Sequence, residues 1–300
     1  MTAAPDGVLV VDKAPGPTSH DVVAVSRRAL GTSRVGHTGT LDPMASGVLV
    51  LVAGRATRLA RFMAGDEKEY VARIAFGRAT DTYDAQGTTT GETGRAPDPA
   101  ALSAELATRV GAQLQTPPAY SAKKVGGEVA HRAARRDAPL TLRPVPVVVE
   151  ALALETYDHG VATVRLRVSA GFYVRALAHE LGEVLGTGAH LAGLRRTCAG
   201  AFALTDAVSW EALATAARGA LVPALLPLDR LLPALAAVTL TDEVARKARH
   251  GQSVQVTTTD EAGTGPIRLF DGEGHLLGIA ESGPRDAAGR RILRPVVILS

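Results

Sequence analysis

Three hundred residues with 46% hydrophobic content are enough for one large or two modest packed domains. The 33 basic residues against 30 acidic ones leave a formal net charge of +3, so a polyanionic partner is favoured only where the basic residues cluster. The single cysteine, Cys198, excludes an internal disulfide and a multi-cysteine metal site and reads as a small buried thiol in a reducing cytoplasm; no run of 18 apolar residues offers a membrane helix, and Met1 to Gly7 lack the pattern of a signal peptide.

Gly7 to Asp12 predicts a short apolar strand, Ala14-Pro15-Gly16-Pro17 a turn, and the next segment a helix that Ser19 caps and Gly31 ends. The stretch that follows, Gly36-His37-Thr38-Gly39-Thr40-Leu41-Asp42-Pro43, sets one carboxylate on a glycine-rich, proline-terminated turn that runs into an apolar segment. Glycine admits backbone angles closed to other residues, and Pro43 biases Asp42 toward an extended conformation, so the acid can be aimed into a cleft as a candidate nucleophile. Asp-Pro also opens ordinary turns, and locally both readings stand. Val48 to Ala53 reads as a buried strand, Arg55 to Ala64 as a short helix, and Tyr70 to Phe76 as a strand with Tyr70, Ala72, Ile74 and Phe76 on one face. Asp81 to Gly87 carries two acids without calcium-loop spacing and reads as a turn, and Thr88 to Gly94 as a plain loop. Asp98-Pro99 supplies the N-cap and first-turn proline of a helix ending near Gly111. Strands at about Val145 to Glu155 and Val161 to Ser169 precede a helix from Phe172 to Leu185 that stops at Gly186. Leu221 to Val238 is apolar but broken by Pro223, Pro227 and Pro233, and reads as a connector. Beyond it Thr241 caps a short helix ended by Gly251, and Ser253 to Val256, Pro266 to Phe270, Leu276 to Glu281 and Ile292 to Leu299 read as strands of a small separate β-rich unit.

Arg175 stands where a strand passes into a helix. A carboxylate brought there by the fold would find a bidentate partner that favours its charged form, although an ordinary structural ion pair fits the same residue. In a chain with only 4% aromatic residues, Tyr70 and Tyr173 are either a base-stacking platform or core, and His37 either braces its turn or meets a displaced base. Lys123, Lys124, Arg132, Arg135 and Arg136 face one acid, Glu128, within the same stretch: a phosphate clamp on a glycine-containing arm, or a solvated charged face. No Walker A sequence, His-Glu-x-x-His pair or strand-bound Gly-x-Gly-x-x-Gly occurs, which disfavours nucleotide hydrolysis and zinc chemistry.

Gly36 to Pro43 with Ser46-Gly47-Val48-Leu49 strongly resembles the nucleophile motif of the tRNA pseudouridine synthase B (TruB) family. Val11-Asp12-Lys13, Lys68-Glu69-Tyr70, Gly77-Arg78-Ala79-Thr80-Asp81-Thr82-Tyr83-Asp84, Tyr120-Ser121-Ala122-Lys123-Lys124, Gly171-Phe172-Tyr173-Val174-Arg175 and Leu194-Arg195-Arg196-Thr197 extend the match, in order, from about residue 7 to 230. The resemblance implies isomerisation of uridine 55 in the T loop of tRNA with no cofactor or metal: the N-glycosidic bond breaks, the uracil turns, and C5 joins C1′. It implies Asp42 as nucleophile, Arg175 as its ion-pair partner, Tyr70 as a ring stacked on the uracil that helps remove the C5 proton, and His37, Tyr173 and Leu194 as the lining of the flipped-nucleotide pocket. The basic arm, about Pro117 to Pro139, resembles an RNA-clamping insertion, and the tail a PUA-like RNA-binding domain. The implied fold is α+β, a central largely antiparallel sheet in a catalytic domain over 1–232 and a β-rich domain over 233–300. Partners follow in the same way: the T-arm stem-loop of tRNA, no membrane and no obligatory protein partner, for a monomer in the cytoplasm. The alternatives are a tRNA-binding folding chaperone with no required chemistry and a guide-RNA-dependent relative of the same fold.

Overall fold

A computed structural model describes residues 5–92, 94–121, 123–134, 136, 138, 140–257 and 264–299. The strand Gly7–Lys13 pairs antiparallel with Ser46–Ala53 along its whole length, from Gly7 opposite Ala53 to Lys13 opposite Gly47. Both strands are apolar at nearly every position and bury both faces. Leu9, Val11, Leu49 and Leu51 pack into one core; Val8, Val10, Val48, Val50 and Val52 pack into another. From this pair the sheet continues through Ala189–Ala199, Lys68–Phe76, Val161–Val168 and Val145–Asp158 to the edge strand Gly111–Gln115, with Val208–Ser209 at the opposite edge. Val208–Ser209 runs parallel to Gly7–Lys13, and Ala189–Ala199 parallel to Ser46–Ala53; the other pairings of this ten-stranded sheet are antiparallel. The architecture is therefore α+β around a mixed, largely antiparallel sheet.

Several local expectations are corrected. Helix Ser19–Leu30 is capped by Thr18, whose hydroxyl accepts from the Asp21 amide while Asp21 accepts from the Thr18 amide, a reciprocal box that leaves the Ser19 hydroxyl for another task. Gly31 does end the helix, in a left-handed conformation at φ 70°. Arg55 to Ala64 divides into a 3₁₀ turn, Gly54–Leu59, and one turn of α-helix, Ala60–Met63. Thr88 to Gly94 is not a plain loop, since Thr89–Glu92 pairs with Arg78–Thr80. The helix begun at Asp98-Pro99 ends at Thr108, and Gly111–Gln115 is a strand. The long strand Ala189–Ala199 escaped sequence reading because its pairing with Lys68–Phe76 shifts register between Leu191 and Gly193 and again between Arg196 and Cys198, which breaks the alternation. Cys198 on that strand is half-buried rather than buried.

The C-terminal strands form a second sheet in the order Ala237–Thr239, Gly265–Phe270, Leu276–Arg285, Arg290–Ile298, Val254–Thr257. Its own core holds Val238, Leu240, Ala245, Ile267, Leu269 and Leu293. Leu276, Ile279 and Leu299 instead share a cluster with Val8, Val50 and Phe202, and the guanidinium groups of Arg55 and Arg58 donate to the carbonyls of Leu299 (2.6 Å) and Ile298 (2.5 Å). This β-rich unit, with its own sheet and core, is thus docked on the first sheet.

Candidate active site

The loop that carries Asp42 connects Val35–His37 to Ser46–Ala53 and is gripped from beneath by two buried cations. Lys13, at the end of its strand and 0% exposed, donates to the carbonyls of Ala14 (3.0 Å), Pro43 (3.2 Å) and Ala45 (2.7 Å). Arg196, 2% exposed, donates to Gly39 (3.0 Å), Thr40 (3.3 Å) and Val48 (2.7 Å). One cation therefore binds the main chain after Asp42 and the other the main chain before it. The Ser19 hydroxyl both donates to the Leu41 carbonyl and accepts from the Leu41 amide, each at 2.9 Å, immediately before the acid. Gly47 completes the fit at φ 101°: a Cβ there would overlap the Arg196 carbonyl. Burial takes the Lys13 ammonium down to about 8, opposed by the Asp42 carboxylate and assisted by Arg196.

Asp42 meets Arg175 across the fold. The Arg175 Nε lies 2.9 Å from Asp42 Oδ2 and its Nη2 3.4 Å from Oδ1, a two-point contact that fixes the direction of the carboxylate. The arginine side chain is 8% exposed and the acid 34% exposed, so the pair presents its anionic end outward. The rest of the guanidinium is also engaged: Nη2 donates to the Tyr120 carbonyl (3.0 Å), Nη1 donates to the Thr82 carbonyl (3.2 Å), and Nη1 stands 3.7 Å from Asp84 Oδ2. Asp84 is buried and in turn accepts from the Thr82 hydroxyl at 2.7 Å and the Gln86 amide at 3.0 Å.

Tyr70, 8% exposed, lies opposite Leu166 and Arg196 in the sheet and packs in the cluster that contains Leu41 and Val174, the neighbours of Asp42 and Arg175. Leu194 and Phe172 close the edge of the same cluster. Tyr173 stands at the N-cap of helix Val174–Val184; its amide donates to Gln115 Oε1 at 2.8 Å and its carbonyl accepts from Gln115 Nε2 at 3.1 Å. Burial pushes the Tyr173 phenol up, against a hydrogen bond with Ser121 and the nearby Arg175. His37 meets His20 edge-on with ring centroids 5.6 Å apart; burial, with His20 and Arg196 nearby, keeps its imidazole below the usual range, and its buried Nδ1 has no partner among the described residues. The structure thus brings Asp42, Arg175 and Tyr173 together, sets Tyr70 in the core cluster that holds Leu41 with Leu194 packed against it, and ends the strand that leads into the Asp42 loop at His37.

The basic arm is folded differently from the rest. Lys124–Val125 and Glu128–Val129 form a two-stranded hairpin over Gly126 and Gly127, followed by helix Ala130–Ala134. Arg132 is exposed and Lys123 half-buried; Arg136 is exposed as well and pairs with Glu128. Arg135 lies outside the described residues, and Lys124 is described by its backbone. Sequence reasoning gave Lys13, Arg196 and Asp84 no role beyond membership of motifs, and Ser19 only that of a helix cap. The available signal was Lys13 at the end of a strand that is apolar from Val8 to Val11; the burial of Arg196 has none, because it depends on which strand lies beside Ser46–Ala53.

Among the described residues no group of three or more His, Cys, Asp or Glu side chains converges as a metal set, and no helix is long and apolar enough to cross a membrane. A family model described as TruB family pseudouridylate synthase, N-terminal domain, matches residues 27–174; models of the tRNA pseudouridylate synthase B C-terminal domain and of the pseudouridine synthase II TruB C-terminal region match 175–233 and 236–290. The tRNA pseudouridine synthase B of Solibacter usitatus (strain Ellin6076) is 39% identical over 98% of this chain and 100% of its own length. The protein of that name from Burkholderia mallei (strain NCTC 10247) is 37% identical over 96% and 97%. Among solved structures, an H/ACA RNP bound to a substrate RNA containing 2′-deoxyuridine matches with TM-score 0.76 at 22% identity, covering 99% of this chain and 86% of that one, a likeness of fold. A Cbf5-Nop10-Gar1 complex matches with TM-score 0.72 at 25% identity, covering 93% and 79%.

Proposed function

The chain belongs to the TruB family of pseudouridine synthases, which are isomerases, and from that premise we propose that it converts uridine 55 in the T loop of tRNA to pseudouridine with Asp42 as its nucleophile. The observation that carries this reading is the two-point contact of Asp42 with Arg175 at the end of a loop whose main chain is bound on both sides by Lys13 and Arg196. A carboxylate so held has one direction and no need of reorganisation when it attacks. In the reaction the Asp42 carboxylate bonds to C1′ as the N1–C1′ bond breaks, the detached uracil turns, C5 bonds to C1′ as the carboxylate leaves, and the proton on C5 is lost while N1 takes one up, so that atoms balance without a cofactor. Tyr70 stacks on the target uracil and assists loss of the C5 proton; His37, Tyr173 and Leu194 line the pocket of the flipped nucleotide. Extruding a base costs a few kcal/mol, which stacking on such rings and phosphate contacts offset. Lys123, Lys124, Arg132, Arg135 and Arg136 on the arm are the phosphate contacts of this reading, residues 233–300 act as a PUA-like RNA-binding domain beside a catalytic domain over 1–232, and the enzyme works on naked tRNA as a cytoplasmic monomer.

The test is tritium release from T-arm RNA carrying 5-³H-uridine, with wild type beside Asp42→Asn. Wild type releases tritium; the variant folds, binds RNA and releases none, because an amide of the same size lacks the charge. Turnover by Asp42→Asn would end the assignment of the nucleophile. A folded, RNA-binding wild type that releases no tritium would favour a chaperone or a guide-dependent relative instead.

A further inference from the structure

Arg175 and His179 lie one helical turn apart on helix Val174–Val184 and therefore share a face. Opposite them, three consecutive residues of one turn are gripped in sequence. The Thr82 carbonyl accepts from Arg175 Nη1 at 3.2 Å, the Tyr83 ring stacks on the His179 imidazole with centroids 3.8 Å apart and planes 7° from parallel, and the Asp84 carboxylate stands 3.7 Å from Arg175 Nη1. Tyr83 does this from φ 65°, a left-handed conformation that a bulky residue seldom adopts unless its surroundings hold it there. On its other side the turn is bonded to the sheet, since the Tyr83 carbonyl accepts from the Leu191 amide at 2.9 Å and the Ala85 amide donates to the Leu191 carbonyl at 3.0 Å.

From this arrangement we propose that the Tyr83–His179 stack is a positioning device for the isomerisation: it sets the distance between the sheet-borne turn and the Arg175 helix, and thereby aims the guanidinium at Asp42. The inference rests on the role proposed above for Asp42 and Arg175. Arg175 must reach Asp42 with Nε and Nη2 while Nη1 is occupied by Thr82 and Asp84, and a guanidinium is a rigid plane. Shifting the turn relative to the helix removes the Nη1 partners or drags the fork off the acid. The backbone bonds to Leu191 cannot prevent this, because they tie the turn to the sheet and not to the helix. The ring pair also borders a cleft of about 350 Å³, so shortening either side chain opens onto space rather than sealing a void.

The test compares Tyr83→Ala, Tyr83→Phe, Tyr83→Gly and His179→Ala by tritium release from tRNA, with kcat and KM separated, tRNA affinity measured directly and thermal unfolding recorded. Tyr83→Ala and His179→Ala are expected to lower kcat about tenfold with KM and affinity within about twofold, a modest share of the loss that misplacement of about 1 Å produces. Tyr83→Phe keeps the stack and restores the rate. Tyr83→Gly, which suits the left-handed backbone but has no ring, stays slow, separating the stack from backbone strain. In an Arg175→Lys background Tyr83→Ala is expected to add nothing, because the residue acts through Arg175. Rates within about twofold of wild type for both alanine variants, a loss confined to KM, or losses that multiply in the Arg175→Lys background would overturn the proposal. His179→Ala, on a half-buried helix position that alanine suits, keeps the test decisive should Tyr83→Ala fail to fold. Absence of tritium release from wild type would instead overturn the function on which the proposal rests.

Discussion

Lys13 offers a test in which fold and reaction respond to pH in opposite directions. Its ammonium is fully buried and pushed by that burial from 10.5 to about 8. Between those two values the unfolded chain holds a proton that the folded chain lacks, so raising the pH through this window stabilises the folded state. Worked from the two values, the Lys13 contribution to unfolding free energy rises by about 2 kcal/mol from pH 7 to pH 9.5. Lys13→Met removes the titration. At pH 7 the variant relieves a buried charge but leaves three carbonyls without their donor at roughly 1 kcal/mol each, so the two effects nearly cancel. Urea unfolding of both proteins at pH 7 and pH 9.5 measures the difference between them, which should grow in favour of wild type by about the 2 kcal/mol that linkage gives. Activity moves the other way. A neutral amine has two N–H groups for the carbonyls of Ala14, Pro43 and Ala45, so the loop loosens on the Pro43 side and kcat falls above pH 8. Equal stability differences at the two pH values would refute the argument, because they would mean that Lys13 does not titrate within this window.

Arg175→Lys keeps the charge but has neither the fork nor the reach to hold Asp42, Thr82 and Tyr120 together; kcat should fall at least about 100-fold with tRNA affinity little changed, read by single-turnover tritium release and filter binding. Gly47→Ala forces a Cβ against the Arg196 carbonyl from a backbone at φ 101° and should cost roughly 2–4 kcal/mol by thermal or urea unfolding, whereas Gly126→Ala, with open space at φ 58°, should cost about 1 kcal/mol. Lys123→Ala and Arg132→Ala should each weaken tRNA binding and reduce the slope of log K against log salt by about 1, with kcat at saturating tRNA unchanged. A slope unaltered in both variants would remove these two side chains from the RNA contacts.

Asp42 was legible because its context is local: glycines before it, a proline after it, and an apolar strand to follow. Arg175 was legible only as a candidate, since its partner lies 133 residues away and is delivered by the sheet. Lys13 and Arg196 look like ordinary charges in the sequence. Each is buried because a neighbouring strand or loop covers it, and each is tolerated there because main-chain carbonyls supply the hydrogen bonds that water would have made. Ser19 shows the same limit at smaller scale. Thr18 and Ser19 are both good caps, and the choice between them was decided by Leu41, which claims the Ser19 hydroxyl for the loop. Ala189–Ala199 was missed for a geometric reason, because two register shifts erase the two-residue period on which strand recognition depends.

The same guanidinium that orients Asp42 also accepts the root of the basic arm as a partner. Tyr120, whose carbonyl takes Arg175 Nη2 at 3.0 Å, precedes Ser121 and Lys123, and Ser121 hydrogen-bonds the Tyr173 phenol at the start of the Arg175 helix. Arm, helix and acid therefore meet in one network of three links. A displacement of the arm root that broke the Tyr120 contact would leave a donor of a buried cation unpaired, which is costly where water is scarce. The arm tip bears no such constraint: its hairpin turns on Gly126 and Gly127, where an added Cβ would meet nothing within 4 Å, and its exposed Arg132 has solvent around it. Motion is accordingly expected at the tip and not at the root, so that RNA can be gripped and released while Arg175 keeps its hold on Asp42. Hydrogen exchange resolves the two directly, with fast exchange over the hairpin 124–129 and protection at Tyr173 and through helix Val174–Val184; equal protection of tip and root would contradict the division.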